Sequence, residues 1–160
     1  MKTIFRLIVV SLSIIALQSS CKKATTANTP QRQKSPIALD SMLLCYGQTS
    51  WDSTSIHNAL VGNWQWGYIK CYWNPESANN EDFKTLSIEF KQNDTLEVKL
   101  NGQITQISSW HVARLNDGYF KLLVNPIVLQ LPGKVLFCGD RVLFYDSYID
   151  GCDNYFKKQI

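Results

Sequence analysis

The chain has 160 residues, 45% of them hydrophobic and 18% charged, with a formal net charge of +3. That is room for one domain with a real core, and too apolar a composition for a disordered chain. The small charge excess supplies no basic surface, so no nucleic-acid partner is expected.

The first element in chain order is a leader. Lys2 and Arg6 precede the apolar run LIVVSLSIIAL (7–17), which is too short to span a bilayer but suits the core of a signal peptide. Without residues 1–20 the chain carries 14 basic against 13 acidic side chains, a net charge of +1. The run ends in QSSC (18–21), and small residues directly before a cysteine resemble the lipobox of bacterial lipoproteins. The resemblance implies cleavage before Cys21, a palmitate-type lipid on Cys21, and a membrane as the partner of that anchor. The following CKKATTAN lacks the early acidic run of some surface-bound lipoproteins, which points to the periplasmic face of the outer membrane. Residues 21–37 are polar, broken by Pro30 and Pro36, and without helical or strand period. They read as a flexible tether with a root-mean-square span of roughly 20 Å.

A single domain is expected over 38–160. ALDSMLLCY (38–46) reads as a turn of amphipathic helix, and WDSTSIHNAL (51–60) as a second, with Asp52 or Ser53 as its cap. After Gly62, β-branched and aromatic residues alternate with polar ones between regular turn signals. The expected strands are 63–73, 83–91, 95–100, 103–115, 119–124, 127–137, 141–146 and 152–158. Asn101-Gly102 is the strongest hairpin signal, and Pro132-Gly133 marks a bulge or break in the sixth run. Eight antiparallel strands at this spacing predict an all-β, up-and-down closed barrel preceded by a short helical segment.

The first strand is unusually aromatic. At period two, Trp64, Trp66, Tyr68, Lys70 and Tyr72 share one face. Further apolar stripes follow at Leu86/Ile88/Phe90, Leu96/Val98/Leu100, Trp110/Val112 and Phe120/Leu122/Val124. Gly62-Asn63-Trp64, placed after a helical turn and opening an eight-stranded meander, resembles the Gly-x-Trp signature of lipocalins. Asp150-Gly151-Cys152 before an aromatic strand is similar to the short lipocalin-like domains of bacterial lipoproteins. The resemblance covers about residues 50–158. It implies that Trp64 plugs the closed end against a basic residue of the last strand, Lys157 or Lys158 beside it.

Four cysteines of an exported domain imply two disulfides with three possible pairings. With strands alternating up and down, Cys71 and Cys152 meet at the seam of the first and last strands. Cys45 and Cys138 then meet at the bottom, so the expected bonds are Cys71–Cys152 and Cys45–Cys138. No Cys-x-x-Cys spacing supports a metal site, and no cofactor is expected. His57 and His111 lack a paired nucleophile, and Gly-x-Ser-x-Gly, phosphate-loop and His-Glu-x-x-His motifs are missing, so no enzymatic activity is expected.

Two functional expectations follow. The first is a tethered barrel binding a small apolar or amphipathic molecule lined by Trp66, Tyr68, Phe90, Val98, Trp110 and Leu122. Lys70 and Tyr72 would meet a polar or anionic head, and the 73–82 loop would serve as lid. The second is a barrel filled by its own side chains whose rim, with Trp73 and Tyr148, grips a protein.

Overall fold

The computed structural model describes residues 38–73 and 84–160. The leader, Cys21, the tether and all but Trp73 of the expected lid lie outside the described residues. Two short helices, α1 (Leu39–Tyr46) and α2 (Ser53–Leu60), precede eight strands. These are β1 (Gly62–Cys71), β2 (Leu86–Phe90), β3 (Thr95–Leu100), β4 (Gln103–Arg114), β5 (Phe120–Asn125), β6 (Lys134–Cys138), β7 (Arg141–Tyr145) and β8 (Cys152–Lys158). Each pairs antiparallel with the next, and β8 returns to β1, closing the barrel. The predicted class is what forms, and it is compatible with a lipocalin-like fold.

Local chemistry explains most boundaries. Asp52 caps α2 by accepting from the Ser55 amide, while the Ser55 hydroxyl accepts from the Asp52 amide. Asn101 and Gly102 both take positive φ (53° and 76°), the conformation a two-residue hairpin requires. At the end of the 126–133 segment, Gly133 has φ +82°, and a Cβ there would stand 2.1 Å from the Tyr145 carbonyl oxygen. Only glycine permits that crossing.

That crossing changes the sixth strand. It begins at Lys134 rather than Ile127, because Pro132 has no amide to donate and the chain turns at Gly133. The segment instead folds over the open end, and Val128 and Leu131 enter the core at 4% and 3% exposure. The Ser108 hydroxyl and the Gln106 side-chain amide hold it by donating to the Pro126 carbonyl.

The barrel is apolar on both faces along one side. Register puts Leu136 and Leu143 outside, opposite each other, yet both are fully buried. Helix α1 lies against β6 and contributes Met42, also fully buried, to the same core. Cys45–Cys138 fixes this helix with Cα atoms 5.4 Å apart, and Cys71–Cys152 staples β1 to β8 across 4.4 Å. Both expected bonds are present. Across the barrel the outer face of β2 and β3 is polar, with Lys99 pairing to Glu89 and Lys91 to Glu97.

Candidate functional site

The closed end is built around Trp64. Its indole N–H donates to the Leu60 carbonyl at 2.6 Å, tying β1 to the end of α2. The cation over its ring is Lys158, with Nζ 5.2 Å from the centroid and donating 2.9 Å to the Ala59 carbonyl. Lys157, the alternative, pairs with Gln65 on the outer face and reaches Asp140 instead. Lys158 therefore corrects Lys157, because Trp64 faces Lys158 across the β1–β8 ladder. Gly62 has φ +125°, and a Cβ there would press on the Lys158 side chain at 3.2 Å. Both facts account for the glycine two residues before the tryptophan.

Above Trp64 the lower lumen is packed with side chains. Phe90 and Trp110 meet edge to face at 5.0 Å, and each is 1% exposed. His57 from α2 stacks on Trp110 at 4.6 Å and bonds Asp94 at 2.9 Å, sealing the floor. Trp66, Val98 and Leu122 also point inward, at 6–7% exposure, and the Trp66 indole donates to Asn154 at 3.3 Å.

Tyr68, Lys70 and Tyr72 do not join that inner face. The β1–β8 register shifts between Trp66 and Tyr68, leaving Gly67 as a bulge close to the Tyr155 carbonyl. One extra residue reverses which side later side chains take. Beyond it Ile69 and Cys71 face inward, and Tyr68 and Lys70 face outward. Tyr68 stacks on Tyr155 at 4.1 Å, and Lys70 lies over Tyr72 at 4.5 Å. Burial raises the Tyr68 phenol well above its ordinary value, and pushes Tyr155 up to about 12.

Beside this pair is a buried carboxylate. Asp153 is fully buried and accepts from the amides of Asp146 and Ser147 and from the Ser147 hydroxyl, at 2.9–3.0 Å. Burial still raises its pKa despite those bonds. Asp146 is raised as well, by its own burial and then by the charge of Asp153.

One recess is on the side of the barrel. Strands β5 and β6 share one bridged pair, Lys121 with Lys134, and β5 continues past it toward the open end. The space so left is a cleft of about 610 Å³, walled by Leu122, Leu123 and Val124 of β5 and by Val128, Leu129 and Leu131 of the 126–133 segment. Ser109, His111, Asn125 and Asp146 supply its polar groups. Of the predicted lining only Leu122 reaches this cleft. Its other residues escaped sequence reading because 127–133 looks like strand, although Asn125-Pro126 and Pro132-Gly133 bracket the segment. A smaller recess of about 350 Å³ at the closed end adjoins Trp51, Trp64, Phe137 and the Cys45–Cys138 bond. Among the described residues no cluster of three metal-ligating side chains occurs.

Comparison with known families, curated proteins and solved structures finds no match to this chain.

Proposed function

We propose that the chain is a binding protein of the cell envelope, tethered through Cys21 to the periplasmic face of the outer membrane, with no catalytic role. Its barrel takes a small apolar or amphipathic ligand in the cleft between β5 and β6. The observation that carries this reading is the single β5–β6 bridge, which leaves a largely aliphatic cleft of about 610 Å³. Clefts of that size suit ligands of a few hundred daltons, on the order of 300–1,000 Å³ being usual. The polar end favours a hydroxyl or amine head over a carboxylate. His111 and Asn125 offer hydrogen bonds there, and Asp146 would repel an anion once ionised.

Native mass spectrometry on the exported protein tests this. A co-purifying mass of a few hundred daltons is expected, lost on denaturation. It should also be lost in Leu123→Arg, which alters a cleft wall that is 39% exposed and leaves the core intact. A bare chain four hydrogens lighter than the reduced form favours a protein-interaction module. The packed lower lumen supports that second reading, as do Ile127 and Leu129, exposed at 76% and 81%.

A further inference from the structure

The two ends of the barrel differ sharply in surface chemistry. At the closed end the described loops around 91–94, 115–119 and 139–140 present no exposed large apolar side chain; Leu44, beside the Cys45–Cys138 bond, and the chain-terminal Ile160 are the exposed ones there, and Ile107 is exposed on the wall of β4. At the open end three of the described connections present such side chains, and β4 adds Ile104 near its start. Tyr72 and Trp73 follow β1. Ile127 and Leu129 project from the 126–133 segment, and Tyr148 and Ile149 from the turn after β7. Their exposures run from 40% to 81%.

From this distribution we infer that the open rim is a membrane-docking surface that seats in the interfacial layer of a lipid bilayer. Three separate loops and the start of β4, spaced around a barrel mouth, offer apolar tips to a plane more readily than to one compact protein epitope. The residue types are those of an interfacial belt: Trp and Tyr at the edge, aliphatic tips beyond them, and the ammonium of Lys70 over the Tyr72 ring at the level of headgroups. Asp150 is the one exposed acid among the described rim residues. With 14 basic against 13 acidic side chains once the expected leader of residues 1–20 is removed, there is little electrostatic pull on lipid, so docking rests on apolar contact and is insensitive to salt. The tether expected between Cys21 and the domain, with its span of roughly 20 Å, would hold the rim within reach of that surface. The inference shares the anchor with the proposed function but not the ligand, and the β5–β6 cleft opens beside Ile127 and Leu129.

The test uses the exported protein with an excess of dioleoyl phosphatidylcholine vesicles containing dibrominated phosphatidylcholine, a short-range quencher of tryptophan. Quenching is expected in the wild type, and its loss in Trp73→Phe assigns it to the rim. Ile127→Asp with Leu129→Asp should also abolish it, whereas Leu44→Asp should not, since Leu44 is 72% exposed on α1, next to the cysteine that holds this helix to β6. All four altered side chains are exposed, and an unchanged thermal melt verifies folding. Equal quenching in wild type and Trp73→Phe overturns the inference. So does quenching that survives the paired Asp substitutions. Loss of an envelope protein from pull-downs of the paired variant, with no wild-type quenching, overturns it in favour of a protein partner. Vesicle sedimentation that survives the rim substitutions reports the anchor on Cys21 separately, and the co-purifying mass retained by Trp73→Phe, which leaves the cleft untouched, reports the ligand.

Discussion

Neighbouring residues of β8 have opposite roles, and which is which depends on register. Lys158 faces Trp64 and satisfies the end of α2, while the Lys157 side chain is 66% exposed. Replacing Lys158 by Met should cost about 1–2 kcal/mol in urea unfolding, through a lost charge-assisted hydrogen bond and cation–π contact. Lys157→Met should stay within about 0.5 kcal/mol. Gly62-Asn63-Trp64 was legible in the sequence as a plug. The lysine was not, because no local signal fixes the register between the first and last strands. Asp153 makes a pH-dependent prediction at the same scale. Its native pKa and that of Asp146 lie above the ordinary 3.8, so both native groups bind protons more tightly than the unfolded chain does. Their contribution to stability is fully present below pH 3.8 and is lost as pH rises through the native values. Urea midpoints should fall over that window, and Asp153→Asn should flatten the fall.

At the scale of elements, alternation and turn chemistry carried the reading far. The bounds of β3 and β8 coincide with expectation, and those of β4, β5 and β7 fall within a residue of it. The misreadings share one cause. Periodicity assumes unbroken pleating, and Gly67 breaks it in β1; a lone glycine inside a strand pattern is the signal for such a bulge, and strict alternation passed over it. Segment 127–137 is apolar enough for a strand along its whole length, but Pro132 and Gly133 divide it into a plug and a shorter β6. Helix α1 was legible as an element, and the expected Cys45–Cys138 bond set its end beside the end of β6; that it lies along the outer face of β6 was not legible. What draws it there is the apolar outer face of Leu136 and Leu143, which resembles inner face when read as sequence. The Cys45–Cys138 bond spans 93 residues and holds that helix in place. Changing both cysteines to Ser should cost about 2–4 kcal/mol, measured by denaturant midpoint under oxidising conditions.

The described domain is a barrel tied shut unevenly. Each junction from β1 through β5 carries at least four paired residues, with one register shift in β3–β4, the β1–β8 seam carries a disulfide, and β5–β6 rests on one bridge. Sequence reading anticipated the closure but not its weak join, since the stagger that produces it depends on the combined tilt of eight strands. The two covalent links also have an order problem during biogenesis. Along the chain they interleave, Cys45 to Cys138 and Cys71 to Cys152, so each bond reaches past a cysteine of the other. A chain emerging amino-terminus first into an oxidising compartment presents Cys45 and Cys71 well before their partners. Pairing in order of appearance gives 45–71 and 138–152, which this barrel does not contain. Correct oxidation therefore calls for thiol–disulfide exchange after the strands have met. In a host lacking disulfide isomerase activity, non-reducing peptide maps should show the 45–71 link accumulating and the yield of barrel falling. Undiminished native pairing in such a host would mean that the strands assemble before any oxidant reaches them.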